Sequence, residues 1–334
     1  MSTGATGTEL SSEFVQVPAD EELPPGLGPY RLAWRRLRRN RVALAFGGLF
    51  LAIVVLCLLA PVYAHDIAHT GPNDEHVDTA VSLYGIPIGP TWHAKFFLGA
   101  DSTGRDVAVR LLYGGRNSLE VGAEATLITI VLASILGILS GYFRGPVDGL
   151  ISRAFELVWA YPVYLLGIVL GVVLAISGLD LGLFKIGGSS LLITSLIIGV
   201  IYTPYVGKPI RGQVLSLRER EFIDAARQQG LGHMRIMFSE ILPNVASTII
   251  VFIPLVLANA ILTEAGLSFL GAGVRPPNPS WGTMISDGIR LLPAAVHTTL
   301  VPGIMLVLCV LGINVFGDGV RDALDPRAKI RIEH

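Results

Sequence analysis

Residues 221–244 read EFIDAARQQGLGHMRIMFSEILPN, a polar, basic interval between two long apolar segments. Phe222, Ala225 and Ala226 recur at i, i+3 and i+4, and past Gly230 so do Met234, Met237, Phe238, Ile241 and Leu242. That spacing predicts two short amphipathic helices joined at Gly230-Leu231-Gly232. Each is too short to be stable alone. The apolar stripes must therefore be buried on the membrane surface, on the chain's own helices or in the groove of a partner. A plain surface hairpin and a helix-turn-helix DNA reader fit the same spacing, so the flanking chain has to decide.

The flanks are those of a membrane protein. The chain has 334 residues, of which 51% are hydrophobic and only 15% charged, with a mean hydropathy of +0.60. That is too apolar for an ordinary soluble domain. Both cysteines, Cys57 and Cys309, lie inside apolar runs and read as small core residues rather than a disulfide framework.

Residues 1–29 are polar, rich in Ser, Thr, Glu, Pro and Gly, and without periodicity, which predicts a disordered tail. The basic segment 30–41 follows, with Arg31, Arg35, Arg36, Arg38, Arg39 and Arg41 around Trp34, and reads as a cytoplasmic flank at the headgroups. Apolar runs at about 42–64, 119–142, 152–177, 189–206, 245–267 and 295–316 are long enough to cross hydrocarbon. The fold class is an all-α polytopic membrane protein with six transmembrane helices spread over residues 42–318, a polar loop at about 216–244 and a tail at 319–334. Gly137, Pro162, Pro204, Pro254 and Pro302-Gly303 interrupt the spans, as helices in a bundle tolerate. Before the second span, Asp101 or Ser102 could cap a short outer helix from Gly104 to Tyr113, ended by Gly114-Gly115. A local salt bridge is expected of Arg105 and Asp106.

Charge settles orientation. The segments assigned to the inside carry eighteen Lys and Arg against seven outside. The positive-inside rule then puts both termini and the 221–244 stretch in the cytoplasm, where a membrane-tied hairpin has little use as a DNA reader. No phosphate-binding GxxxxGK[ST] loop, HExxH, paired CxxC or GxSxG elbow is present. The chain is thus read as a non-catalytic subunit with no metal site or cofactor of its own. His65, His69 and His76 share one loop but read as solvated. Acids within spans are costly and draw attention. Glu120 and Glu156 are read as interfacial, whereas Glu124 and Glu264, with Asn259 below the latter, are candidate pathway residues.

Four stretches carry a family resemblance. Asp224-Ala225-Ala226, Gly230 and Ile241-Leu242-Pro243 resemble the "EAA" loop of binding-protein-dependent ABC importer permeases, with Asp at the acidic position. The 97–119 stretch, FLGADSTGRDVAVRLLYGGRNSL, is similar to a segment of the dipeptide, oligopeptide and nickel subfamily, specifically the second of its two paired permeases. Ala100 and Val109 stand where Thr and Ser are usual there. LSFLGAGVRPPNPSWG at 267–282 and GDGVRDALDPR at 317–327 resemble two further motifs of that subfamily. The resemblance implies a type I importer fold, an extracytoplasmic binding protein, a second homologous permease, and two ATPase subunits that hold the ATP and Mg. It implies no nucleic-acid partner, a plasma-membrane location and a peptide cargo. It also implies coupling to the ATPases through Glu221, Asp224, Ala225, Ala226, Gly230, Leu242 and Pro243, and an outer-loop motif at Asp101, Gly104, Arg105 and Asp106. An ion-gradient-driven secondary transporter is the alternative, but it needs more intramembrane acids and an internal repeat.

Overall fold

The computed structural model describes residues 29–324 apart from 181, 183 and 184. Residues 1–28 of the expected tail, and 325–334, lie outside the described residues. The chain folds as helices laid mostly antiparallel. Helix α1 (Pro29–Leu37) precedes α2 (Arg41–Leu58), whose first turn is capped by Asn40, its Oδ1 accepting from the Ala43 N–H at 3.0 Å. The regular helix stops at Leu58, short of the expected residue 64. A short helix Ala60–Val62, with Pro61 in its first turn, and a wide turn at Tyr63–Ala68 continue the chain.

Helix α3 (Val107–Phe143) is 37 residues long. It starts at Val107 rather than the expected Gly104, and takes in the rest of the expected outer helix and the whole expected second span, so Gly114-Gly115 does not end a helix. The reason is packing. A Cβ on Gly115 would stand 2.6 Å from Trp281 Cζ2 and would also collide with Cys57 Sγ, while one on Gly114 would press on the Ser280 backbone. The glycine pair lets another segment approach the helix backbone; continuous hydrogen bonding to its neighbours carries the helix through.

The expected third span is bent. Helices α4 (Gly145–Trp159) and α5 (Val163–Ser177) meet at 92° across Pro162. Proline has no N–H to offer the preceding turn and pushes the residue before it out of helical geometry. Pro204, Pro254 and Pro302 sit in helices that continue past them. Five helices are individually long and apolar enough to cross a membrane, and the bent pair can serve as the sixth. A small hairpin of β1 (Leu179–Asp180) and β2 (Lys185–Ile186) joins α5 to α6 (Leu191–Leu217).

Helix α7 (Glu221–Gln228) is the first expected arm of the polar stretch. The second arm is not a separate helix: His233–Ile236 and a wide turn at Met237–Ile241 run straight into α8 (Leu242–Phe269), forming one apolar unit from His233 to Phe269. At the opposite end of the bundle lies α9 (Trp281–Ile289), and α10 (His297–Leu324) returns to the end that carries α7. Residues 319–324, expected to begin a tail, complete the last turns of α10.

The tightest pairing is α3 against α6. Cβ atoms at Gly137 and Gly141 would meet Gly207 O at 2.8 Å and Val214 Cβ at 2.7 Å, so glycine is what allows the two backbones to approach. One core occupies the α7 end and includes Tyr142, Ile210, Val214, Ile223 and Ile241. A second, at the other end, gathers Cys57, Leu111, Ile261, Trp281 and Cys309, the two cysteines as free thiols among apolar neighbours.

Candidate functional site

Helix α7 starts from an extended Arg220 with no side-chain cap, and Glu221 and Asp224 in its first turn suit the positive end of the helix dipole. It ends in a Schellman arrangement. Gly230 N–H donates to Arg227 O at 3.0 Å and Leu231 N–H to Ala226 O at 3.2 Å, with Gly230 at φ +78°. That left-handed position is costly for residues with a Cβ.

The inner face of α7 consists of Ile223 and Ala226, both buried, which join Ile236, Met237 and Ile241 in one cluster with Tyr142 of α3 and Val206, Ile210 and Val214 of α6. The expected stripe of Phe222, Ala225 and Ala226 is corrected here: Phe222 and Ala225 are exposed and only Ala226 faces inward. The helix enters with a phase set by Ile223, a residue outside the expected stripe but at i, i+3 from Ala226. On the second arm Met234 and Phe238 are likewise exposed, Leu242 is half-buried against the cluster, and Pro243 is exposed in the first turn of α8.

Polar ties fix the seat. Tyr142 Oη pairs with His233 Nδ1 at 2.9 Å, and Arg218 Nη1 donates to Tyr142 O at 2.6 Å. Arg211 donates two hydrogen bonds to Asp148, at 2.6 and 2.7 Å, joining α4 to α6, and Arg144 pairs with Glu219. Such forked pairs fix angle as well as distance. The outer face of α7 presents Glu221, Phe222, Asp224, Ala225 and Arg227, with Arg227 Nη1 3.1 Å from Asp224 Oδ1. Tyr142 and Arg218 carried no sequence signal of this role, because they lie in segments whose local pattern is that of spans and their termini.

At the opposite end, the 101–106 motif shapes a loop. Asp101 Oδ1 accepts from Thr103 N, Thr103 Oγ1 and Arg105 N at 2.9–3.0 Å, and its Oδ2 accepts from Arg105 Nε at 2.7 Å. Gly104 has φ +76°, and a Cβ there would lie 2.6 Å from the His76 carbonyl carbon. Arg105 therefore pairs with Asp101 and not, as expected, with Asp106. Asp106 is the cap of α3, displacing Asp101 and Ser102 from that role. Its carboxylate accepts from Ala108 and Val109 N–H at 2.8 and 3.2 Å and from Phe96 N–H at 2.6 Å. Burial raises its pKa above the usual carboxylate range, against those three N–H groups and Lys95, which favour the charged form. Ala100 and Val109 are fully buried packing residues.

The candidate pathway acids separate. Glu124 is half-buried and accepts from Ser195 Oγ at 2.7 Å, joining α3 to α6. Asn259 is half-buried and donates to Leu255 O at 2.8 Å within its own helix. Glu264 is wholly buried. Its Oε1 accepts from Ser268 Oγ at 2.5 Å and Ser268 Oγ accepts from Val274 N–H at 2.9 Å, while its Oε2 has no hydrogen-bond partner among the described residues. Through Ser268, Glu264 braces Val274 at the start of the proline-rich segment. The exposed Glu120 and Glu156 take no part.

The family model described as "binding-protein-dependent transport system inner membrane component" matches residues 133–330, more than half of the chain and including the whole 221–244 hairpin. The chain belongs to that family. Residues 28–79 match a second model, the N-terminal transmembrane domain of oligopeptide transport permease C. Among curated relatives, the dipeptide transport system permease protein DppC of Alkalihalophilus pseudofirmus is 36% identical over 93% of this chain and 94% of its own length. The glutathione transport system permease protein GsiD of Pectobacterium atrosepticum is 32% identical over 90% and 92%. The di/tripeptide permease DppC of Pseudomonas aeruginosa is 33% identical over 90% and 93%. Among solved structures, an inward-facing form of the MetNI methionine ABC transporter has a chain covering 65% of this one and 96% of itself, with a TM-score of 0.50 and 18% identity, which establishes the common fold. The protein is thus a multi-pass inner-membrane permease subunit of an ATP-driven importer, built on the type I fold. Membership implies ATPase and substrate-binding-protein partners.

Proposed function

We propose that this permease carries short peptides, and that α7 with its Gly230 turn is the element through which ATPase subunits drive it. One observation carries the coupling reading: a short helix is anchored by its inner face and by Tyr142 to α3 and α6, while its outer face is left bare. A helix held that way transmits force only if something seats on the bare side, and the exposed Phe222 and Ala225 suit a groove on a partner protein. Asp224, Glu221 and Gly230 define its charge and its turn, and Leu242 and Pro243 start the span it moves. Peptide cargo is supported by the relatives named for dipeptide, di/tripeptide and glutathione transport.

In this reading both termini and the hairpin are cytoplasmic, and a second homologous permease completes the pathway. Two ATPase subunits hold ATP and Mg, and a binding protein delivers cargo from the other side. ATP-driven closure of the ATPases moves the hairpins as units, and the spans alternate between inward-open and outward-open states. Glu124 and Asn259 stay as candidate pathway residues; Glu264 is the weaker one, since it is enclosed.

The test is purification in mild detergent from a membrane expressing the whole operon, with mass spectrometry of the accompanying chains and uptake of labelled dipeptide in vesicles. P-loop ATPases and a sister permease in fixed ratio, with ATP-dependent uptake, are expected. A lone chain, or a complex that hydrolyses ATP but moves no peptide, refutes the corresponding half.

A further inference from the structure

The C-terminal motif remains without a role in anything above. Asp318 and Arg321 lie one turn apart near the C-terminal end of α10. Opposite charges at i, i+3 on a helix are placed to pair. These two do not: among the described residues neither side chain has an ion-pair or hydrogen-bond partner, and both are exposed. Instead they line one cavity of about 350 Å³ between α6, α8 and α10, together with Asn314, Tyr205, Phe252 and Leu255. Tyr205 and Phe252 meet edge to face at 5.8 Å, forming an aromatic wall. The Asn314 amide and Tyr205 hydroxyl are also unpartnered among the described residues.

The charges decide what fits. A simple cation is repelled by Arg321 and a simple anion by Asp318, and one carboxylate is too few ligands for a hard metal ion. A molecule bearing both signs satisfies both residues at once. Side chains at i, i+3 start about 5–6 Å apart, and the two charged ends of an extended dipeptide are separated by about 7 Å. The volume sits near the lower end of the range for small-molecule sites, about 300–1,000 Å³. We infer that this cavity is a site for a zwitterionic peptide of about two residues, its ammonium on Asp318, its carboxylate on Arg321 and its side chains against Tyr205, Phe252 and Leu255. The inference rests on the peptide-cargo reading and gives it a location: the half of the pathway nearer α7, where Gly319 packs on Ala43 at the start of α2.

The experiment uses the purified importer complex in nanodiscs, without nucleotide or binding protein, and equilibrium dialysis with labelled Ala-Phe, N-acetyl-Ala-Phe and Ala-Phe amide. Each blocked end should weaken binding to wild type by about tenfold, the size of one hydrogen bond to a charged group. Asp318→Asn should abolish the acetylation penalty and keep the amidation penalty; Arg321→Gln should do the reverse. The double exchange Asp318→Arg with Arg321→Asp keeps the net charge and should recover part of the binding that either single variant loses. Co-elution with the partner chains and an unchanged melting temperature confirm that each variant is folded. Equal penalties in all variants overturn the site, as does a wild-type complex that takes up dipeptide with its binding protein yet binds none in the dialysis. A wild-type complex that takes up no peptide even with its binding protein refutes the cargo reading, and the site with it.

Discussion

Replacing Ile223 by alanine tests the seat of α7 directly. Ile223 is fully buried in a cluster shared by α3, α6 and the second arm. Removing a buried Ile side chain to alanine costs about 2–5 kcal/mol, transfer and cavity together. Because α7 has only eight residues and Ile223 and Ala226 are its two buried anchors, that cost falls mainly on local detachment of the hairpin rather than on the bundle. At about 1.4 kcal/mol per factor of ten, detachment becomes at least about 30-fold more frequent. Hydrogen exchange on the assembled complex reads this peptide by peptide. Amides of residues 221–231 should lose protection by about that factor, while those of α3 and the upper part of α6 keep theirs, and peptide uptake per ATP hydrolysed should fall. Equal loss of protection along α3 and α6, or none at 221–231, would refute the idea of a separately seated hairpin.

Gly230→Pro places a residue fixed near φ −65° where the chain needs +78°; the complex is expected to assemble and hydrolyse ATP but to show little linked uptake in proteoliposomes. Ala225→Glu puts a second carboxylate beside Asp224 on the bare face and should weaken ATPase retention during purification, whereas Ala225→Ser should not. Gly115→Ala drives a methyl into Trp281 and Cys57 and should lower stability by about 1–3 kcal/mol, seen as a fall in the melting temperature of the detergent-solubilised complex. Asp106→Ala removes the cap of α3 and the acceptor of Phe96 N–H, a loss of about 1–2 kcal/mol, and should speed proteolysis between residues 66 and 106 while Asp106→Asn restores part of the resistance.

Much of this was legible in the sequence, for reasons that can be traced. Long apolar runs mark spans because nothing else tolerates them, and the Gly230 turn was visible because few residues accept its backbone. What misled was local punctuation with a tertiary cause. Gly114-Gly115 reads as a stop until Trp281, more than 160 residues later, is known to lie on it. Pro162 and Pro254 read alike, yet one breaks a helix and the other does not, since the break depends on what the neighbouring helices supply. The stripe that starts at Phe222 and the one that starts at Ile223 share Ala226, and spacing alone does not say which of them a partner covers. Adjacency in sequence suggests Asp106 as the partner of Arg105, but the turn at Gly104 folds Asp101 back onto it.

The unbroken length of α3 has a mechanical consequence. At 1.5 Å per residue its 37 residues make a rod of about 55 Å, nearly twice the hydrocarbon thickness of a bilayer. One end is tethered through Asp106 to the loop at the far mouth, and the other through Tyr142 to the hairpin. With no proline or kink between them, a tilt of about 10° about the midpoint would swing each end by about 5 Å in opposite directions. Were α3 to move as one rod, a displacement applied at His233 would arrive at Phe96 as a lever stroke of comparable size and opposite sense, narrowing one mouth as the other widens without any signal relayed residue by residue.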